Sequence, residues 1–389
     1  MKKSTKTLLP LFLMAAIIDS SFGSMFALLA KIRGEFDFEI IEIAVIGGAG
    51  FVSAFTAQIG LARFADQGHT RLLIWGGTFC AALSMFGLAF SESLSSFIVS
   101  RFLFGLGEGA FLPAARRIVI LTDTENTGES LGRLSAFQMF GFLIGPLLGS
   151  IMSELLGLQG TFLISGAIII VCMPLLLKVN ILQVIQKPSP GSIRNLLAKK
   201  EIVSLIILAV GYYGSFGIYE SIWAIYLDDL GASQFFIGFQ LTLFALPMII
   251  VAPLGGRLAE RKGGMTVAFW AIALSVPAVA AYGMTSNLYL LTLILCVHGI
   301  ADAVGSPAIQ LATSHLSGEN QASGQGLLNA SGLAVAAGVA LGSGAVYQNF
   351  GAFWLFFGWA IFMTITTLTA ILLGRSELKR EARERSSLS

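Results

Sequence analysis

Arg101 and Glu108 stand seven residues apart in RFLFGLGEGAFLPAARR, residues 101 to 117, a run otherwise dominated by apolar and small side chains. On a helix this spacing returns to nearly the same face about 10 Å further along. Charge at such depth in hydrocarbon is costly and persists mainly where it faces a protein interior or a water-filled path. The pair therefore predicts a helix lining a route across a membrane. The glycines at 105, 107 and 109 add a smooth strip that lets another helix approach closely.

Three further acids, Asp19, Glu220 and Asp302, lie inside other apolar runs, and His298 precedes Asp302 by one turn. Counting about 1.5 Å per residue from the start of each run puts Asp19, Glu108 and Asp302 roughly 16 to 21 Å deep, close to a bilayer midplane. A carboxylate whose surroundings alternate between wet and dry changes its affinity for protons with them, and a nearby cation changes it further. Arg101 can supply that cation to Glu108 or to Asp19. The chemistry expected is proton uptake by Glu108 or Asp19 on one side and release on the other, with His298 as a relay or a hydrogen-bonded helix contact. Only Arg101 and His298 oppose the four acids, so such a cavity repels a strongly anionic substrate and admits a neutral or cationic amphiphile. Tyr212, Tyr213, Phe216, Tyr219 and Trp223 crowd one run and can form an apolar or cation-binding wall.

The elements that must hold these residues follow from composition. The chain of 389 residues is 55% hydrophobic and 12% charged, about half the charge of an ordinary soluble domain. Its apolar runs of about 20 residues lack strand-like alternation, so they predict membrane-spanning helices and exclude a β-barrel. Twelve spans are expected: 8 to 30, 42 to 62, 72 to 90, 95 to 115, 131 to 156, 160 to 179, 202 to 227, 235 to 256, 266 to 285, 288 to 312, 324 to 347 and 350 to 373. The first is too long for a secretory signal and lacks a small-residue cleavage site, so it is read as a retained span. With the amino terminus inside, 21 of the 24 lysines and arginines fall on the inner side, which predicts both termini in the cytoplasm.

Cys80, Cys172 and Cys296 sit in separate runs with no metal-ligand spacing, so neither a disulfide framework nor a zinc site is indicated. A net charge of +2, carried by loop ends and the tail, is no sign of nucleic-acid binding. No nucleophile elbow, H-E-x-x-H or phosphate-binding loop is present, so neither an enzyme nor an ATP-driven pump is expected, and no cofactor.

The halves repeat. Ser21-Phe22-Gly23 matches Ser215-Phe216-Gly217, Asp66 matches Glu260, Gly105 matches Gly299, Glu108 matches Asp302 and Pro113 matches Pro307, each displaced by 194, while Gly145 and Gly149 match Gly338 and Gly342 at 193. This predicts an N-terminal six-helix bundle over 1 to 179, a linker over 180 to 201, a C-terminal bundle over 202 to 373 and a solvated, mixed-charge tail over 374 to 389. Two parallel repeats about an axis along the membrane normal suit rocking around a midplane site.

Twelve spans in two halves resemble the major facilitator superfamily along essentially the whole chain. ARFADQGHTR at 62 to 71 is similar to that family's loop motif after the second helix, keeping Asp66 and Arg71. GRLAERKGG at 256 to 264 is closer, with Gly256, Glu260, Arg261 and Gly263 in place. The resemblance implies that these loops latch the halves together as a cytoplasmic gate through Asp66, Arg71, Glu260 and Arg261. Arg101, Gly105 and Gly107 resemble the fourth-helix motif of proton-coupled members, with Phe104 where glutamine is usual and Glu108 where a small residue is common. Gly132, Gly141, Gly145, Pro146 and Gly149 follow the fifth-helix antiporter signature, with Ser150 in its last place, and predict a kink with a close helix contact. The resemblance to twelve-helix drug:proton antiporters implies a monomeric inner-membrane exporter of hydrophobic or cationic small molecules in exchange for protons. A proton-driven importer or a lipid or metabolite carrier is the alternative within transport, and a non-transporting sensor the alternative outside it.

Overall fold

A computed structural model of the chain describes residues 3 to 66, 68 to 123, 127 to 179, 181, 192 to 318 and 321 to 388. Among them all regular structure is helical, as expected where lipid offers the backbone no hydrogen-bond partner. Among the described residues, nine helices are long and apolar enough to cross a membrane, and a bent pair, Gln234–Ile250 with Ala252–Lys262, turns by 45°. Two of the nine, Glu129–Lys178 and Ser323–Leu373, run to 50 and 51 residues. Each is broken at one glycine, Gly157 at φ 71° and ψ 179° and Gly351 at φ 79° and ψ 177°. Each thus holds two spans joined by a tight turn, and the total comes to twelve.

The same backbone signature exposes the duplication. Positive φ recurs at Asp37 and Gly231 and at Gly157 and Gly351, and both pairs are 194 residues apart (231 less 37, 351 less 157). Close contacts repeat with them. A Cβ on Gly23 would lie 2.7 Å from the Phe142 carbonyl oxygen, and one on Gly217 would lie 2.5 Å from that of Ala336, again 194 further on. The match of Gly145 and Gly149 to Gly338 and Gly342 does not carry over. The first pair press on Ser20 and Ser24 of the first helix, whereas nothing lies within 4 Å of a Cβ at the second pair. A displacement of 193 is one residue short, and one residue turns a helix face by about 100°.

Contacts divide the chain into two compact units, one of Met1–Pro188 with Glu220–Thr242 and one of Ser189–Tyr219 with Leu243–Ser389. The division falls inside the seventh helix, Lys200–Asp229. In the first unit, Arg33 pairs with Asp229 at 2.7 Å, Gln234 donates to the Ala27 carbonyl at 2.7 Å, and Thr242 Oγ1 donates to the Leu143 carbonyl at 2.8 Å. In the second unit, the tail is a helix, Arg375–Leu388. The expectation of a solvated run fails there, since Glu377 and Glu381 are buried by packing against the bundle. Half of the expected linker, 180 and 182 to 191, lies outside the described residues, and the rest includes a short helix, Ser192–Leu197.

Candidate functional site

The fourth helix, Leu94–Thr122, begins at Ser93, whose Oγ accepts from the Ser96 amide at 3.3 Å in a capping box. Its glycine strip then decides what it can touch. Gly105 and Gly109 seat it on the second helix at Gly50, Ser53, Ala54 and Ala57, and Gly107 seats it on the third at Gly77 and Ala81. Without side chains in the way, Arg101 and Glu108 are carried into the interior of the first unit.

Arg101 is 0% exposed. Its guanidinium carbon lies 4.4 Å from the Phe22 ring centroid and 4.9 Å from that of Phe26, and its Nε occupies space that a side chain on Gly50 would fill. None of its three nitrogens has a hydrogen-bond partner among the described residues. The charges acting on it are Glu220 and, more weakly, Glu108. Both acids keep an unpartnered buried oxygen, Glu108 Oε2 and Glu220 Oε2. Asp19 is buried too, with the Gln138 amide donating to it and Glu108 and Arg116 within electrostatic range. Glu108 and Glu220 thus share Arg101, while the cation near Asp19 is Arg116. An incompletely paired cluster of this kind is expensive in a low dielectric unless protons, water or a substrate complete it.

The sequence reading gave Arg101 to Glu108 or Asp19, and the structure brings Glu220 within electrostatic range of it as well. Glu220 is 7% exposed. It belongs to a π-helical turn, Tyr219–Trp223, which inserts a residue and shifts the side-chain register; such turns are frequent at functional sites. The unit boundary falls between Tyr219 and Glu220.

A second cluster occupies the second unit. The hydroxyls of Tyr219 and Tyr282 lie 2.8 and 3.1 Å from His298 Nδ1, and His298 Nε2 lies 3.4 Å from Asp302 Oδ1. Ser275 Oγ donates to the same Oδ1 at 3.0 Å, while Asp302 Oδ2 has no partner among the described residues. His298 and Asp302 side chains are 0% and 1% exposed. If Nδ1 accepts from a tyrosine, the remaining ring proton sits on Nε2 and faces the carboxylate. Sequence reasoning missed Tyr282 and Ser275, both on the ninth helix, Gly264–Tyr282. The signal available was polar groups inside an apolar run.

The residues of the expected aromatic wall are shared between the two units. Tyr212 stacks edgewise on Tyr213 and Phe216 at 5.0 and 5.3 Å, and Tyr219 meets Phe244 at 5.1 Å, all in the second unit. Trp223 is fully buried in the first unit against Tyr226. The expected loop residues lie at helix ends: Arg71 in the first turn of Thr70–Ala89 and Glu260 and Arg261 in the last turn of Ala252–Lys262, all three exposed, while the Asp66 side chain lies outside the described residues. In the fifth helix Gly141, Gly145 and Gly149 all abut the first helix, at Ala16, Ser20 and Ser24, while nothing is near Gly132. The non-helical backbone of this stretch is at Gly157, and the helix continues through Pro146.

The family model described as Major Facilitator Superfamily matches residues 11–208 and, separately, 205–388. Multidrug resistance protein MdtG of Proteus mirabilis (strain HI4320) is 26% identical over 259 residues, covering 64% of this chain and 64% of the relative. MdtG of Enterobacter lignolyticus (strain SCF1) is 24% identical over 270 residues, 65% of this chain and 64% of the relative. The chain thus spans a little under two thirds of the length of these relatives. Among solved structures, a bacterial homolog of the human lysosomal transporter Spinster, inward-facing and unoccupied, superposes with a TM-score of 0.82 at 17% identity, over 97% of this chain and 99% of that one. The nucleoside transporter NupG superposes with a TM-score of 0.77 at 13% identity, over 94% of this chain and 98% of that one. At these identities the likeness is one of fold.

Proposed function

Because the chain belongs to the major facilitator superfamily, and so is a multi-pass membrane transporter, we propose that it exports hydrophobic or cationic small molecules in exchange for protons. The observation that carries this reading is the under-compensated set of the first unit: buried Asp19 and Glu220, Glu108 with its buried Oε2, and Arg101, whose nitrogens lack hydrogen-bond partners among the described residues. Protons can complete such a set in one state and a cationic substrate in another, so that each displaces the other. The multidrug resistance proteins among its relatives and the fifth-helix glycine pattern support the direction. The Tyr219, His298, Tyr282 and Asp302 network supplies a second place to hold or pass a proton. In this reading the protein is a monomer in a bacterial inner membrane, both termini are cytoplasmic, and the loops carrying Asp66, Arg71, Glu260 and Arg261 act as its cytoplasmic gate.

Purified protein in liposomes tests it with ethidium and tetraphenylphosphonium as probes under an imposed pH gradient. The expected result is probe movement opposite to the proton flow. Movement in the same direction as protons would instead make the protein an importer, and flux indifferent to the gradient would remove proton coupling. Glu108→Gln is expected to abolish gradient-driven flux while leaving probe binding or exchange measurable. Unchanged gradient-driven flux would exclude Glu108 from the mechanism.

A further inference from the structure

The tail helix, Arg375–Leu388, is polar along its length, yet Glu381 is 7% exposed. Its carboxylate points at the first turn of the ninth helix. The Met265 amide donates to Oε1 at 3.0 Å, and the Thr266 amide and hydroxyl donate to Oε2 at 2.9 and 2.6 Å. The leading amides of a helix have no acceptor within it and carry the positive end of its dipole, so they favour a negative charge. The usual provider is a side chain at the N-cap, but here that position is Gly263, with none to offer. The ninth helix therefore takes its cap from a residue more than a hundred positions away in sequence. Gly263 is suited to this. Its φ of 91° is open to glycine, and any side chain would collide with the Glu381 carboxyl group.

Two more contacts fasten the same tail. Ser376 Oγ donates to Glu201 Oε1 at 2.6 Å, tying it to the first turn of the seventh helix. Gly374 packs where a Cβ would lie 2.8 Å from both Met265 Sδ and Ser204 Oγ. Gly263 is also the C-cap of the helix Ala252–Lys262, so whatever holds Gly263 and Thr266 also sets the helix end that carries Glu260 and Arg261.

We propose that Glu381 is a positioning residue of the transport cycle, docking the tail on the start of the ninth helix and so fixing the end of the helix Ala252–Lys262 that bears Glu260 and Arg261. The link to transport rests on reading that helix end as part of a gate, whereas the docking itself does not. Met265 is 0% exposed beside the docked tail, so Met265→Cys reports docking once Cys80, Cys172 and Cys296 are replaced by serine. In purified protein, Glu381→Ala is expected to raise the rate of maleimide modification at that cysteine about tenfold, the size a lost helix cap supports. Glu381→Gln, which keeps one acceptor oxygen, should raise it less. In liposomes, Glu381→Ala should lower ethidium turnover several-fold with KM unchanged. Equal modification rates with and without Glu381 overturn the proposal, and so does faster modification with unchanged turnover. Should Glu381→Ala fail to fold, Thr266→Val removes a single donor, and a rate equal to the parent's is then the overturning result. A parent protein that does not move ethidium counts against the proposed substrate class, and the modification ratio alone then decides the docking.

Discussion

Gly107→Ala is the sharpest probe of how the fourth helix presents its charges. A methyl group there would sit 2.6 Å from the Gly77 carbonyl oxygen and 2.9 Å from the Ala81 amide nitrogen. Both obstacles are backbone, so no side chain can swing aside and the third and fourth helices must part. Overpacking of this kind costs about 1 to 3 kcal/mol. Alanine's better helix propensity returns about 1 kcal/mol, leaving a net loss of up to about 2 kcal/mol. Gly132→Ala is the internal control. It meets nothing within 4 Å, so only the propensity gain of about 1 kcal/mol remains. Thermal unfolding of the purified variants in one detergent should therefore place Gly107→Ala below the parent and Gly132→Ala at or above it. Gly107 adjoins Glu108, and a displacement of about 1 Å at a reacting group can cost about a hundredfold in rate. Gradient-driven ethidium flux should accordingly fall at least about tenfold in Gly107→Ala and hold in Gly132→Ala. Matching melting curves for the two variants would refute the claim that backbone contact at Gly107 positions the helix.

Arg101→Met is expected to leave thermal stability unchanged or raise it by about 1 to 4 kcal/mol, because a well-packed apolar side chain replaces an incompletely paired buried charge, while gradient-driven flux disappears. A loss of more than about 2 kcal/mol would mean that the guanidinium is paired after all. Gly157→Ala and Gly351→Ala should each cost about 1 to 3 kcal/mol from the backbone alone, because their φ near 75° with ψ near 180° is open essentially to glycine and neither site has an atom within 4 Å of a Cβ. Asparagine should lower the melting temperature there as alanine does, and variants that melt with the parent would rule out backbone conformation as a constraint.

The twelve spans were legible in the sequence because lipid forces long apolar helices, and the displacement of 194 announced the duplication that Asp37, Gly231, Gly157 and Gly351 now mark in the backbone. The fourth helix was legible for the same reason: buried charge and a glycine strip are local signals. The nearness of Glu220 to Arg101 was not. Glu220 lies 119 positions away (220 less 101), and it belongs to a π turn, Tyr219–Trp223, whose extra residue has no compositional mark. The tail misled in the opposite way. Its composition is that of a solvated run, and a single carboxylate meeting two unclaimed amides outweighed it.

The seventh helix contributes residues up to Tyr219 to one unit and residues from Glu220 to the other. A gene severed within residues 182 to 191 would therefore yield an amino-terminal fragment lacking Glu220, Asp229 and Gln234, three of the residues its own unit uses. Such a fragment produced alone should be short-lived in the membrane, and co-production with the remainder should rescue it. Anyone wishing to swap half of this transporter with half of a relative would do better to place the junction beyond Thr242.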